Sequence, residues 1–233
     1  MKIGILQCGH TAPAIVERHG EYADMFERLL AAHGWAFETW RVVDGEFPHS
    51  HEAADGWLLT GSPLGVYDDA PFIPVLEALI QDLAAREAPM VGICFGHQII
   101  AQALGGKVVK HPGGWRLGPQ DYQIAGAAAS VSLHAWHQDQ VTHLPEGAEI
   151  TAEGPDCKIA GFAIGGHVWT LQPHPEFDDG VIERLINTRR GSPGYEAAPI
   201  PEAEASLGTP VDQSWAAHQI GQFFSQADAR RNG

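Results

Sequence analysis

Basic residues are scarce in this chain. Fourteen Lys and Arg stand against 29 Asp and Glu, a net charge of −15 at neutral pH, and no basic cluster exceeds the pairs Arg189-Arg190 and Arg230-Arg231. A nucleic-acid partner is therefore not expected. Cysteine is also sparse: the three, at positions 8, 94 and 157, have no CxxC spacing. That excludes a disulfide-stapled small domain and fits a reducing compartment. Apolar runs are short throughout, with none of membrane-spanning length, and the stretch after Met1 is too brief for the apolar region of a secretory signal. A soluble, cytoplasmic protein is expected. Thirteen histidines are present, but none forms a helical i, i+4 pair with a neighbouring Glu or Cys ligand. His49-x-His51 is the nearest approach, in a polar loop, so neither metal nor cofactor is expected. No internal repeat is found.

What is there organises itself around Met90–Leu104. An apolar strand, Met90–Ile93, runs into Gly92-Ile93-Cys94-Phe95-Gly96, and helical spacing follows from His97 until Gly105-Gly106 stops it. This reads as a nucleophile elbow. A nucleophile on a tight strand-to-helix turn sits in strained backbone, and side chains two residues to either side would collide; Gly92 and Gly96 remove them. The positive end of the following helix faces the sulfur and favours its anionic form, and the Phe95 N–H is left free to hold an oxyanion.

A thiol nucleophile needs a base, and the base needs an orienting group. Val168–Gln172 reads as a strand ending in Pro173-His174-Pro175-Glu176. The prolines hold His174 in extended backbone. Glu176, two residues on, can accept from the imidazole N–H and stabilise its cation.

The remainder bounds the architecture. At 233 residues the chain can bury one substantial core. Strands at Lys2–Cys8, Trp35–Val43 and Gly56–Thr60 alternate with helices at Glu21–His33 and Pro71–Glu87, the latter with Val75, Leu76, Leu79, Ile80 and Leu83 on its packed face. This alternation predicts an α/β fold: an open, mostly parallel sheet with helices on both faces. In such sheets the ligand lies at the carboxyl ends of the strands, where Cys8, Gly61 and Cys94 fall. Short strands then follow at Lys107–Lys110, Asp121–Ile124, Ser130–His134, Lys158–Ile164 and His167–Leu171, predicting antiparallel additions with a hairpin at Ile164–His167. Gly113-Gly114-Trp115 reads as a turn, and Cys8 and Cys157 as packing. Val181–Arg190 is a closing helix. Gly191–Pro210 reads as a loop or tether, and Asp212–Ala229 as a last helix whose Trp215, Phe223 and Phe224 could dock a partner or a second copy of the chain. The predicted organisation is one domain over 1–190, with a loop and carboxy-terminal helix over 191–233 packed on it.

Gly92–Gln98 and Gln172–Glu176 resemble the two signatures of class I glutamine amidotransferases. Two more stretches agree: Thr60–Asp68 resembles the family's oxyanion loop, and His137–Val141 with Leu144-Pro145 resembles the segment that closes on glutamine. The resemblance covers roughly residues 1–190 and implies a class I glutamine amidotransferase-like fold. It implies a Cys94, His174, Glu176 triad: Cys94 attacks the glutamine side-chain amide, His174 carries the proton to the leaving ammonia, and Glu176 orients His174. It further implies an oxyanion hole from Phe95 with Gly61 or Ser62, and substrate contacts from Gln98, Gln138 and Asp139. Many relatives have two glycines where this chain has Gly61-Ser62, so which N–H turns inward stays open. The expected substrate is a small molecule, glutamine or a γ-glutamyl compound. No acceptor-activating domain is recognised in the residues after Arg190. Ammonia would then pass to a separate synthetase subunit, or the chain would be a free-standing γ-glutamyl hydrolase, as some stand-alone relatives similar to the glutaminase domain of GMP synthetase are. A regulatory binding module without catalysis is the reading of another class. An α/β-hydrolase fits the elbow less well, because its acid precedes the histidine by many residues and Glu176 follows it.

Overall fold

A computed structural model of the chain describes residues 1–232. Eleven strands and seven α-helices are present among them. In chain order the first half reads β1 (Lys2–Leu6), α1 (Pro13–His19), α2 (Tyr22–Leu29), β2 (Ala36–Trp40), β3 (Gly56–Leu59), α3 (Phe72–Ala85), β4 (Met90–Ile93) and α4 (Phe95–Ala103). There follow β5 (Lys107–Lys110), β6 (Arg116–Ile124), β7 (Ser130–His137), β8 (Asp139–His143), β9 (Ala148–Gly154), β10 (Cys157–Ile164) and β11 (Val168–Leu171). Helices α5 (Asp179–Arg189), α6 (Ile200–Ala205) and α7 (Gln213–Asn232) complete the chain.

Nine strands form one sheet in the order β2-β1-β3-β4-β11-β10-β9-β6-β7, with β5 and β8 in a separate antiparallel pair. The five strands from β2 to β11 are parallel, and β10, β9, β6 and β7 extend them antiparallel. This is the expected α/β sheet with its antiparallel additions. The pleat sorts the central strands between two cores. Trp57, Leu59 and Met90 turn to one face, against Leu76 and Ile80 of α3 and Ile99 and Ile100 of α4. Leu58, Val91 and Ile93 turn to the other, against Phe26 of α2 and Ile220 and Phe224 of α7. A third cluster, with Ile15, Met25, Val181, Ile182 and Ile200, lies beside the carboxyl ends of the strands. Local chemistry sets the helix ends: Glu21 and Asp24 cap α2 reciprocally, and Asp178 caps α5 by accepting from the Val181 N–H at 2.9 Å.

Several expectations need correction. Val75 is 50% exposed, because the buried stripe of α3 runs through Phe72, Ile73, Leu76, Ile80 and Leu83 and leaves it outside. The stretch expected to be a loop or tether contains α6, whose Ile200 and Ala203 are buried. Phe224 of α7 is wholly buried in the chain's own core, and Trp215 and Phe223 pack against that cluster, so these three do not form a free docking face. The helix α1 and the strands β8 and β9 were not read from the sequence. β6 begins at Arg116, earlier than expected.

Candidate active site

The carboxyl ends of β3, β4 and β11 bring three segments together. At the end of β4, Cys94 has φ 52° and ψ −104°, a strained conformation for a residue with a side chain. The flanking glycines are needed sterically: a Cβ at Gly96 would lie 2.3 Å from the Leu59 carbonyl oxygen, and one at Gly92 would lie 2.6 Å from the Gly96 carbonyl. The Gly96 N–H donates to Thr60 O at 3.1 Å. Phe95 opens α4, where first-turn N–H groups lack partners within the helix.

The loop after β3 is fixed by Thr60, whose hydroxyl donates to Gly61 O at 2.9 Å and accepts from the Cys8 N–H at 3.0 Å. Gly61 has to be glycine because a Cβ there would come within 2.9 Å of Cε1 of His174. Ser62 turns its hydroxyl back to accept from the Leu64 N–H at 3.2 Å.

His174 has the extended backbone its prolines dictate. Its N–H donates to His134 O at 2.8 Å in an antiparallel bridge. Nδ1 lies 2.7 Å from Oε1 of Glu176, and the ring stacks flat on Phe177 with centroids 4.0 Å apart and planes 3° apart. Gln213, at the start of α7, donates to the carbonyls of Pro175 and Phe177 at 2.8 and 2.9 Å and clamps this loop from behind. Burial opposes the imidazolium, but the Cys94 and Glu176 charges, with hydrogen bonds to both, outweigh it and raise His174 to about 10. With Nδ1 taken by Glu176, Nε2 is the nitrogen left for Cys94.

Gln98 and Asp139 also meet here. Gln98 donates to Asp139 O at 2.9 Å and to Oε1 of Gln172 at 3.1 Å, and Gln172 donates to Sγ of Cys94 at 3.6 Å. The Asp139 carboxylate accepts from the Tyr67 hydroxyl at 2.9 Å, and burial raises its pKa. These groups border a cavity of about 320 Å³, which Cys94, His174, Ser62, Gln98, Gln138 and Asp139 all line. Of the expected oxyanion-hole residues only Ser62 is among those that line it; Gly61 and Phe95 are not. The other cysteines lie elsewhere: Cys8 donates its S–H to Leu6 O at 3.3 Å, and burial pushes both Cys8 and Cys157 up to about 12. His51 faces Asp82 at 3.8 Å, and no group of His, Cys, Asp and Glu suited to a metal occurs among the described residues.

Residues 16–187 match the family model described as glutamine amidotransferase class-I. The chain belongs to this family. The chain is similar to γ-glutamyl peptidase 3 of Arabidopsis thaliana, 30% identical over 188 residues, 74% of this chain and 76% of that one. A glutamine-hydrolysing GMP synthase of Leptospira interrogans is 33% identical over 178 residues, 72% of this chain but 28% of the synthase. The crystal structure of a glutamine amidotransferase from Thermotoga maritima has the same fold, with TM-score 0.76 at 18% identity and 97% of each chain covered. No helix among the described residues is long and apolar enough to cross a membrane.

Sequence reasoning did not single out Gln172, Gln213, Tyr67, Phe177, Trp115, Tyr195 or Arg189. Gln172 lay in plain view within the second signature. Trp115 follows the Gly113-Gly114 turn, and Tyr195 sits in the stretch taken for a tether.

Proposed function

We propose that this chain is a cysteine hydrolase of γ-glutamyl amide bonds and that conjugates larger than glutamine are its preferred substrates. Cys94 attacks the δ-carbonyl carbon, and the oxyanion that forms is held by the Phe95 N–H with that of Gly61 or Ser62, each well-placed donor contributing roughly 3–4 kcal/mol. His174, oriented by Glu176, gives its proton to the leaving nitrogen as the C–N bond breaks, leaving a γ-glutamyl thioester on Cys94. Water, deprotonated by His174, then attacks the thioester; the C–S bond breaks, glutamate leaves and the Cys94 thiolate is regenerated beside protonated His174. The balance is γ-glutamyl amide plus water giving glutamate plus amine. Gln98 and the backbone of Gln138 and Asp139 hold the glutamyl end.

The observation that supports this reading is the hydrogen bond of His174 Nδ1 to Glu176 at 2.7 Å, with His174 and Cys94 lining the same cavity. The preference for conjugates rests on the cavity of about 320 Å³, which Trp115, Tyr195 and Arg189 line together with Cys94 and His174; ammonia would need no such room. We assign the protein to the cytoplasm, where its three free thiols stay reduced, and treat residues 191–233 as part of the same functional unit. Kinship with GMP synthase favours a second reading, in which glutamine is the substrate and ammonia passes to a synthetase partner. Purified protein incubated with glutamine, with γ-glutamyl dipeptides and with glutathione distinguishes the two. Efficient cleavage of a conjugate supports the first reading. Glutamine preferred a hundredfold or more in kcat/KM, with slow turnover, supports the second, and no turnover of any of them supports a binding module.

A further inference from the structure

The family match ends at residue 187, and the part of the pocket built by the following residues differs chemically from the rest. Trp115 and Tyr195 stack with centroids 4.2 Å apart and planes 20° apart. The Trp115 indole N–H donates to Gly194 O at 2.8 Å, and that of Trp136 to the Tyr195 hydroxyl at 3.3 Å. Two indoles thus latch the segment after α5 against the antiparallel half of the sheet. Over the Tyr195 ring, 5.6 Å from its centroid, lies the guanidinium of Arg189. Its Nε is buried without a hydrogen-bond partner, and among the described residues Arg189 forms no ion pair. In a chain of net charge −15, this guanidinium lines the pocket without an ion-pair partner among the described residues.

The two ends of the pocket can be told apart. Tyr67, Asp68, Asp139, Lys110 and Gln98 lie together at one end, where Lys110 attracts the Asp139 carboxylate; carboxylates beside an ammonium suit the zwitterionic end of a glutamyl group. His174 marks the other end, because the nitrogen it protonates belongs to the leaving group. Phe177 is stacked on His174, Tyr22 on Phe177 with centroids 6.2 Å apart, and Leu185 and Arg189 lie on α5 beside them. Arg189 therefore faces what departs.

We propose that Arg189, held flat on Tyr195, receives a carboxylate of the leaving group, so that the enzyme selects γ-glutamyl peptides with a free carboxy-terminal carboxylate. The inference rests on the γ-glutamyl hydrolase reading above. A guanidinium fork matches a carboxylate with two parallel N–H bonds, and the ring beneath keeps the plane oriented while its face attracts the cation.

The test compares γ-glutamyl-alanine with γ-glutamyl-alanine amide, which differ only in the group that Arg189 would read. Wild-type protein is expected to favour the free acid tenfold or more in kcat/KM, mainly through KM. Arg189→Met, and Arg189→Gln, which keeps donors but not charge, should bring that ratio within twofold, whereas Lys110→Met should lower both substrates alike. A wild-type ratio near one, or a ratio that survives both Arg189 variants, overturns the proposal. Calorimetric titration of the same pair into Cys94→Ala separates it from the hydrolase reading. Tighter binding of the acid that disappears in Cys94→Ala/Arg189→Met upholds the receptor even if turnover is absent, and equal binding of acid and amide refutes it even if turnover is brisk.

Discussion

The side-chain amide of Gln172 donates to the sulfur of Cys94 across 3.6 Å while its oxygen accepts from Gln98 at 3.1 Å. Gln98, in turn bonded to the Asp139 carbonyl at 2.9 Å, thus reaches the Cys94 sulfur through Gln172 as well as lining the pocket. The chain of three bonds ties the Asp139 carbonyl to the Cys94 sulfur. A donor aimed at the sulfur stabilises its anion, and bonds to charged groups contribute about 1.5–3 kcal/mol.

Gln172→Leu should therefore lower kcat by about 10- to 100-fold and slow alkylation of Cys94 by iodoacetamide at neutral pH. Rates of alkylation and turnover measured on the same preparation check this. Unchanged alkylation would show that the amide only fills space.

Glu176→Gln should reduce activity by about 10³-fold without abolishing it, because shape and an acceptor remain while the charge opposite the imidazolium is lost. His174→Ala should cost more. The pH profile gives a second readout. With His174 raised to about 10, the acid that serves the leaving group persists far above the ordinary histidine range, and kcat/KM should hold into the alkaline region. In Glu176→Gln one of the two raising charges is gone, so the alkaline limb should move toward 6.5. A limb at the same pH in both proteins would contradict the pairing.

Elements set by local backbone chemistry were legible in the sequence. Gly92, Gly96 and the prolines around His174 state their constraints within five residues, and those constraints appear as the elbow and the extended His174. Contacts between distant segments were not. Gln98 meets Gln172 across 74 positions and Trp115 meets Gly194 across 79, and no local pattern announces either pair. Helix α1 is seven residues long, too short to display a period. β9 carries a mostly exposed or half-exposed run, so hydrophobic alternation, the usual signal of a strand, is weak there.

The elbow glycines give a stability prediction. Gly96→Ala sets a methyl group 2.3 Å from a backbone oxygen of β3, and neither the strand nor the helix can give way without disturbing its neighbours. A loss of about 3 kcal/mol is expected, together with loss of activity, since the same shift displaces Cys94. Urea denaturation measures it. Retention of wild-type stability would mean that β3 and α4 can part more easily than their packing indicates.

Acid sensitivity should come from two histidines outside the proposed triad. His97, with Nδ1 2.8 Å from the Thr170 hydroxyl, and His137, with Nδ1 3.2 Å from Asp139 O, are both buried, and desolvation, reinforced by neighbouring histidines, lowers each to about 3. In the unfolded chain both would bind protons below about 6.5. Between roughly 6.5 and 3 the unfolded state therefore holds more protons than the folded one, and stability rises with pH across that window. Their contribution is present above 6.5 and lost as pH falls, with a slope of up to about 1.4 kcal/mol per pH unit for each histidine. His137 lines the pocket beside Gln138 and Asp139, so its protonation would disturb that part of the pocket first. Urea midpoints from pH 4 to 8 should fall steeply below 6.5 in the wild type and less steeply in His137→Gln, which cannot take up the proton. A variant as acid-labile as the wild type would remove His137 from the account and leave His97 to carry the slope alone.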